Sequence, residues 1–437
     1  MEETLSSANT YTKQQWIAEQ AKKHPDRVFT SLHHLIDMAW VREAYARTRK
    51  DGAVGIDGVT AADYETELED RLEDLLNRIK SGRYVAPPAR RHDIPKPDGT
   101  KRPLGIPTFE DKVAQRVILM LLEPIYEQDF LPCSHGFRPG RSCHDALAAL
   151  RTGIMEKHQL RVIDADISKC FDSIPHNRLR EVLDLRIRDG VVRRMIDKWL
   201  KAGILEEGTL KRTDTGTPQG GVISPTISNI FLHTVLDRWY EDEVQPRLWG
   251  ASQLVRYADD LVMTFEHDRD ARRVLAVLSK RLGRYGLTLH ETKTRYVDFR
   301  PPRGKGRGRY ASFDFLGFTH TWGTSRKGNK VMRQVTAKAR FARAVKSVHE
   351  WCKANRHRPL TEQHAHLARV IRGHCAYYGL TGNSKRLKWF RWQVERSWRK
   401  ALSRRSRDGE LSWARMDAVF RRFPLPPARV MRSIYIT

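Results

Sequence analysis

LVRYADDLVMTF, residues 254–265, sets two adjacent carboxylates, Asp259 and Asp260, between two runs of strand-forming residues. Leu254, Val255 and Tyr257 precede the pair, and Leu261, Val262, Met263 and Phe265 follow it. Two short β-type runs around a polar break predict a tight hairpin with the aspartates at its tip. Adjacent carboxylates repel one another there unless a cation offsets their charge. A hard divalent ion, Mg²⁺ being the usual one in phosphate chemistry, supplies that offset. Neighbours on a strand face opposite sides, so one of the pair dominates coordination, and Asp259 is the expected one. Taken alone, Asp-Asp reads more readily as a solvated turn, because aspartate is a favoured turn residue.

Working outward, RVIDADISKCFDSI, residues 161–174, supplies a second strand with Asp164, Asp166 and Asp172. Alternation sets Asp164 and Asp166 on one face and Ile163, Ala165 and Ile167 on the other. Asp172 lies beyond the strand, just before Ser173-Ile174-Pro175, where capping a helix is its plainer role. With this strand beside the hairpin, Asp166 reaches the same metals as Asp259. The expected centre is then a two-metal site, with ions ~3.5–4 Å apart, that stabilises attacking and leaving oxygens in phosphoryl transfer. Alternation alone does not separate Asp164 from Asp166.

The whole chain supplies a polyanion-binding background. It has 437 residues, enough for two to four packed units, and 40% apolar residues with which to build their cores. Its 79 Lys and Arg outnumber its 52 Asp and Glu, for a formal charge of +27. Such an excess destabilises a compact state by self-repulsion, and nucleic acid is its commonest counterpart. The charge is spread along the chain and not packed into one amphipathic helix, which disfavours a membrane surface. No apolar run is long enough to span a bilayer, and the first ten residues, MEETLSSANT, do not read as a secretory signal. The five cysteines form no C-x-x-C pair, so zinc and disulfide frameworks are not expected and a reducing, cytosolic setting is.

Helical periodicity marks 64–80, 110–130, 175–200 and 271–285, and a loop at 216–221 opens a helix through Leu236. The basic stretch APPARRHDIPKPDGTKRPLGIP, residues 86–107, turns at Pro97-Asp98-Gly99 and reads as a β-hairpin. Short strands are expected at 294–298 and 313–319, separated by a glycine-rich basic loop at 301–310. From about residue 330 the pattern reads as purely helical, with Leu387, Phe390, Val394, Trp398 and Leu402 on one apolar face. A domain break is expected at 320–330.

Seven segments now stand in one order: IPKPDGTKRPLGIP (94–107), HGFRPGRSCHDAL (135–147), DADISKCFDSIPH (164–176), GTPQGGVISPTISNI (216–230), RYADDLV (256–262), GLTLHETKT (286–294) and FDFLGFT (313–319). In that order they resemble the reverse transcriptases of the group II intron type, which also act as maturases. The likeness runs from Gly55 to Arg429. It implies an α+β right-hand polymerase, with fingers and palm built of antiparallel sheet plus helices and an all-helical thumb or maturase domain behind. The implied bounds are an N-terminal helical extension at 1–60, fingers at 61–160, palm at 161–325 (parts of 176–215 belonging with the fingers), thumb at 326–420 and a short tail at 421–437.

The resemblance also implies roles. Asp166, Asp259 and Asp260 are the catalytic aspartates, and together with Ile167 they hold two Mg²⁺ ions, for which Mn²⁺ can substitute. Phe171, five residues after Asp166, is an aromatic gate under the incoming sugar. Gln219 and Gly220 meet the incoming nucleotide, while Lys96, Arg102 and Arg90 grip its triphosphate. Lys293 stands near the triphosphate, and Phe315-Leu316-Gly317 forms the primer grip. In the thumb, Trp389, Trp392 and Trp398 with neighbouring Lys and Arg bind RNA, although helical spacing assigns most tryptophans to the core. The implied partners are an RNA template, the intron RNA, a DNA primer or target and deoxynucleotides, with no membrane, in a bacterial-type cytoplasm near the nucleoid. The family's nuclease segment is not recognisable, so DNA cleavage is not expected. The alternatives are a domesticated enzyme serving phage defence or spacer acquisition, and an RNA-binding maturase without polymerase activity.

Overall fold

The computed structural model describes residues 2–95, 99, 101–206, 209–211, 214–216, 220–301, 311–325, 327–405 and 411–433. Lys96, Gln219 and nearly all of the 301–310 loop lie outside the described residues. The chain opens with helices α1 (Glu2–Lys23), α2 (Met38–Arg47), α3 (Ala61–Glu65) and α4 (Leu68–Lys80). Strands β1 (Ala89–Pro95) and β2 (Lys101–Ile106) follow, then α5 (Phe109–Asp129) and α6 (Cys143–Met155). Next come β3 (Arg161–Asp166), α7 (Cys170–Ser173), α8 (His176–Asp184), α9 (Gly190–Ala202), β4 (Ile204–Glu206), β5 (Thr209–Lys211) and α10 (Ser224–Leu232). The hairpin β6 (Ser252–Tyr257) and β7 (Asp260–Phe265) leads to α11 (Asp268–Arg284) and β8 (Arg295–Asp298). Strands β9 (Phe313–Phe315), β10 (Phe318–Thr324) and β11 (Lys330–Thr336) precede α12 (Lys338–Ala354), α13 (Leu360–Tyr378), α14 (Ser384–Leu402) and α15 (Trp413–Arg422).

Two compact units result, one of Met1–Leu150 with Ala165–Tyr296, the other of Arg151–Asp164 with Val297–Thr437. The first unit contains a sheet of order β2-β1-β4-β5, and the end of β3 and start of β8 enter its second sheet, of order β6-β7-β3-β8. The expected basic hairpin is present: Arg90 pairs with Ile106 and Pro95 with Lys101 across β1 and β2. Helix α5 forms the centre of this unit, capped by Thr108 Oγ1 on the Asp111 amide at 3.2 Å. Its Asp111 is buried and accepts from the Tyr84 hydroxyl and the Trp199 indole, each at 2.6 Å. Gln115, one turn on, donates to Asp111 at 2.9 Å and accepts from the Ile223 amide at 3.2 Å. This chain of bonds fixes the start of α10, immediately after the Gly220 loop.

In the second unit the sheet of order β11-β10-β9 precedes four helices, whose core includes Phe341, Ile371, Phe390, Val394 and Trp398. Strand β11 corrects the expectation of pure helix from residue 330. Its inward residues are Met332, Gln334 and Thr336. Two of the three are polar, so the alternation that reports a strand is muted in the sequence. Other expected helices are subdivided or extended: 64–80 breaks at Thr66-Glu67, 175–200 forms α8 and α9, and α10 continues as π-helical turns to Val244. No helix among the described residues is long and apolar enough to cross a membrane.

Candidate active site

The register of β6 and β7 pairs Tyr257 with Asp260, so the connecting turn has only Ala258 and Asp259. Ala258 takes φ +57, the left-handed conformation that two-residue hairpins need at this position. The expected tip is therefore occupied by Asp259, while Asp260 is the exposed first residue of β7. Behind the turn, residues 133–136 run alongside β6. The His135 amide donates to the Arg256 carbonyl at 2.9 Å, and the Arg256 amide to the Cys133 carbonyl at 2.8 Å. Gly136 is required in this contact, since a Cβ there would lie 2.5 Å from the Ala258 nitrogen.

Arg256 is the structural anchor that sequence reasoning missed. Its side chain is fully buried, 0% exposed, and forms a two-pronged pair with the equally buried Asp237 at 2.6 and 2.7 Å. The same guanidinium donates to Asn229 Oδ1 at 2.8 Å, Ser134 Oγ at 2.8 Å and the Ala258 carbonyl at 3.1 Å. It thus ties the β6–β7 turn to Ser134 and to the helical stretch that carries Asn229 and Asp237. The signal was an arginine between the strand formers Val255 and Tyr257, a residue type rarely buried without a partner.

On β3, Asp166 is the terminal residue and half-buried. Ile167 bridges Leu289 through bonds from the His290 amide to the Asp166 carbonyl and from the Ser168 amide to the Thr288 carbonyl, both 2.8 Å. Neither bond uses the Ile167 carbonyl. The same connection brings Lys293 to Asp166, with Nζ 2.7 Å from Oδ2. Asp259 lies within the field of both. Burial raises its pKa above the ordinary carboxylate value, the Asp166 charge adds to the rise, and Arg102 and Lys293 oppose it.

Arg102, Phe137, Phe171, Gly220, Tyr257 and Asp259 are among the residues lining a cleft of about 350 Å³, and Asp260 stands at the same cleft. Phe171 is only 8% exposed. Gly220 has φ +110, and a Cβ on it would come within 2.5 Å of the Gly105 carbonyl oxygen. That contact brings the Gly220 loop and the β1–β2 hairpin backbone together, which only glycine permits. Arg90 is directed elsewhere, its guanidinium donating to the Val54 carbonyl at 2.9 and 3.2 Å.

Among the described residues no three His, Cys, Asp or Glu side chains gather into a ready ligand group. The Asp166 charge acts on Asp259, and Asp260 is exposed at the same cleft. Two carboxylates of which one is desolvated, beside a main-chain carbonyl outside the strand pairing, form an oxygen donor set that suits a hard dication. In the second unit Phe315, Leu316 and Gly317 make the tight β9–β10 turn, with Leu316 at φ +48 and Gly317 at φ +78. Tyr377 Oη donates to the Leu316 carbonyl at 2.9 Å. Of the three candidate RNA-facing tryptophans, Trp389 and Trp392 are exposed at 45% and 43%, whereas Trp398 is fully buried and donates to Gln363.

Residues 94–320, more than half of the chain, match the profile of the Reverse transcriptase (RNA-dependent DNA polymerase) family. The chain belongs to that family. The chain is 37% identical over 221 residues to the Group II intron-encoded protein LtrA of Lactococcus lactis subsp. cremoris, covering 50% of this chain and 36% of LtrA. It is 35% identical over 270 residues to Protein YkfC of Escherichia coli K12, covering 54% of this chain and 70% of YkfC. An uncharacterized 91 kDa protein in the cob intron of Schizosaccharomyces pombe is 36% identical over 239 residues, 54% of this chain and 29% of that one. The match to LtrA thus spans little more than a third of LtrA's length. Reverse transcriptases of this family use divalent metal ions.

Proposed function

We propose that this reverse transcriptase extends a DNA primer 3′-hydroxyl with deoxynucleotides on an RNA template, and that it binds a group II intron RNA to promote splicing and mobility. The observation that carries the polymerase reading is the half-buried Asp259 beside Asp166, at a cleft also lined by Arg102, Phe171 and Gly220. Asp166, Asp259 and the Ile167 carbonyl would hold two Mg²⁺ ions, with Asp260 a more distant contributor. Bound there, the ions would stabilise charge on the attacking and leaving oxygens.

The chain's own residues have distinct tasks. Arg102, and Lys96 with it, binds triphosphate oxygens, where cations offset charge developing on pyrophosphate. Arg90 acts indirectly, bracing that hairpin through the Val54 carbonyl. Lys293 exchanges Asp166 for the triphosphate and can give a proton to the departing pyrophosphate. Gln219 and Gly220 contact the incoming nucleotide, the glycine allowing close backbone approach. Phe315-Leu316-Gly317 holds the primer strand. Trp389 and Trp392, beside Arg386 and Arg396 at 5.1 and 5.5 Å, present a basic aromatic face suited to intron RNA. The setting is a bacterial-type cytoplasm.

Mg²⁺-dependent extension of a DNA primer annealed to an RNA template tests the enzyme reading, and absence of any DNA product from the native chain would sink it. Splicing of a group II intron RNA, with and without protein, tests the maturase half. Phe171 adds a sharper expectation. With its ring under the incoming sugar, Phe171→Ala should reduce discrimination against ribonucleotides by roughly 10- to 200-fold, the range for removing a steric or apolar pocket contact. Single-nucleotide incorporation of dNTP against rNTP reads this out, and unchanged selectivity would remove Phe171 from the gate.

A further inference from the structure

The HGFRP segment contains a ring with no task in the reading so far. Phe137 lines the cleft of Asp259, yet it is 54% exposed. Its backbone sits at φ +56, a conformation unfavourable for a bulky L-residue. Relaxation is prevented on both sides. The Gly136 carbonyl accepts from Asn229 Nδ2 at 2.7 Å, and Arg138 donates to the Ser134 and Leu131 carbonyls at 2.8 and 3.0 Å and pairs with Glu127. An exposed apolar ring held in a strained conformation by buried bonds is a feature that folding alone does not favour.

Its position suggests what it meets. Residues 133–136 flank β6, and the sheet then proceeds β6-β7-β3. The catalytic turn is therefore bordered by Phe137 on one side and by Asp166 with Lys293 on the other. In-line phosphoryl transfer places the attacking hydroxyl and the leaving pyrophosphate on opposite sides of the reacting phosphorus. The cation at Asp166 marks the pyrophosphate side. The aromatic side, where the Phe137 ring lies 6.4 Å from the Tyr257 ring, is left to the primer end. We infer that Phe137 is a positioning residue whose ring stacks on the 3′-terminal nucleotide of the primer and seats its hydroxyl beside Asp259. Aromatic stacking accepts every base, as a primer-end contact in a template-directed enzyme must. This inference rests on the polymerase reading.

The test separates the two. Full-length protein is titrated, without nucleotide, into a fluorescent RNA–DNA duplex with a recessed DNA 3′ end and into the same duplex made blunt. The native chain should prefer the recessed end. Phe137→Gly removes the ring and also the backbone strain, so its melting temperature should not fall. It should bind the recessed end roughly 10- to 100-fold more weakly, with blunt-duplex binding unchanged, and Phe137→Tyr should restore the preference. In extension assays the loss should appear in the KM for primer–template and not in the KM for dNTP. A native chain indifferent to the recessed end, equal weakening on both duplexes, or a change confined to dNTP would overturn the assignment. An inactive native chain that still distinguishes the two ends through Phe137 would overturn the polymerase reading alone.

Discussion

Replacing Asp259 with asparagine is expected to remove primer extension while leaving the protein as stable as before, or more so. Asp259 occupies the two-residue turn and lines the cleft within the field of Asp166, and burial already holds its pKa above the ordinary 3.8. A carboxylate whose folded-state pKa is raised contributes stability only at low pH, and that contribution is lost as pH rises past the unfolded value. At neutral pH its charge is therefore held at a cost, which asparagine relieves at nearly the same size. Activity should move the other way, because the metal binding proposed for this site would depend on that charge. A loss of at least about 10²–10³-fold in kcat/KM is expected, comparable with removing a principal electrostatic stabiliser of a transition state. Asp260→Asn should cost less, since Asp260 is exposed at the start of β7. Steady-state extension and thermal melting of both variants check this. Comparable activity in Asp259→Asn and the native chain would sink the site, and a large fall in melting temperature would show that Asp259 holds the turn together.

Asp237→Ala should be the most damaging single change outside the cleft. It leaves the Arg256 guanidinium buried and without the carboxylate that it meets at 2.6 and 2.7 Å. Breaking a fully buried pair from one side costs about 3–5 kcal/mol, a large part of a typical total of about 5–15 kcal/mol. Activity should fall as well, because Arg256 also holds the Ala258 carbonyl next to Asp259. Urea denaturation measures the stability loss directly. A shift worth less than about 1 kcal/mol would mean that Asn229, Ser134 or water compensates. Removing both charges together, Arg256→Met with Asp237→Leu, should recover part of the stability and none of the turn's alignment. That combination distinguishes a thermodynamic role from a positional one.

Much of the fold was legible because it follows local periodicity. Alternating strand formers around Asp259-Asp260 gave the β6–β7 hairpin, and Pro97-Asp98-Gly99 between extended pieces gave β1–β2. The periodicity at 64–80 resolved into the end of α3 and α4, with Leu72, Leu75 and Ile79 buried on α4. Strand β11 escaped notice because its buried face includes Gln334 and Thr336. At the site, the candidates Asp166, Asp259, Phe171, Gly220 and Arg102 could be named from motifs, but their partners could not. Lys293 reaches Asp166 across 127 residues of chain, and Arg256 reaches Ser134 across 122.

By itself, then, the sequence determined which residue types are available for phosphoryl transfer and which local turns present them. Only the tertiary structure decided that Asp259 and not Asp260 sits in the turn, that Lys293 pairs with Asp166, that Arg256 and Asp237 anchor that turn, and that Phe137 faces the cleft. The physical reason is range. Periodicity and turn preference act over a few residues, whereas register, burial of charge and a glycine-permitted backbone contact depend on segments that meet only when the core has formed.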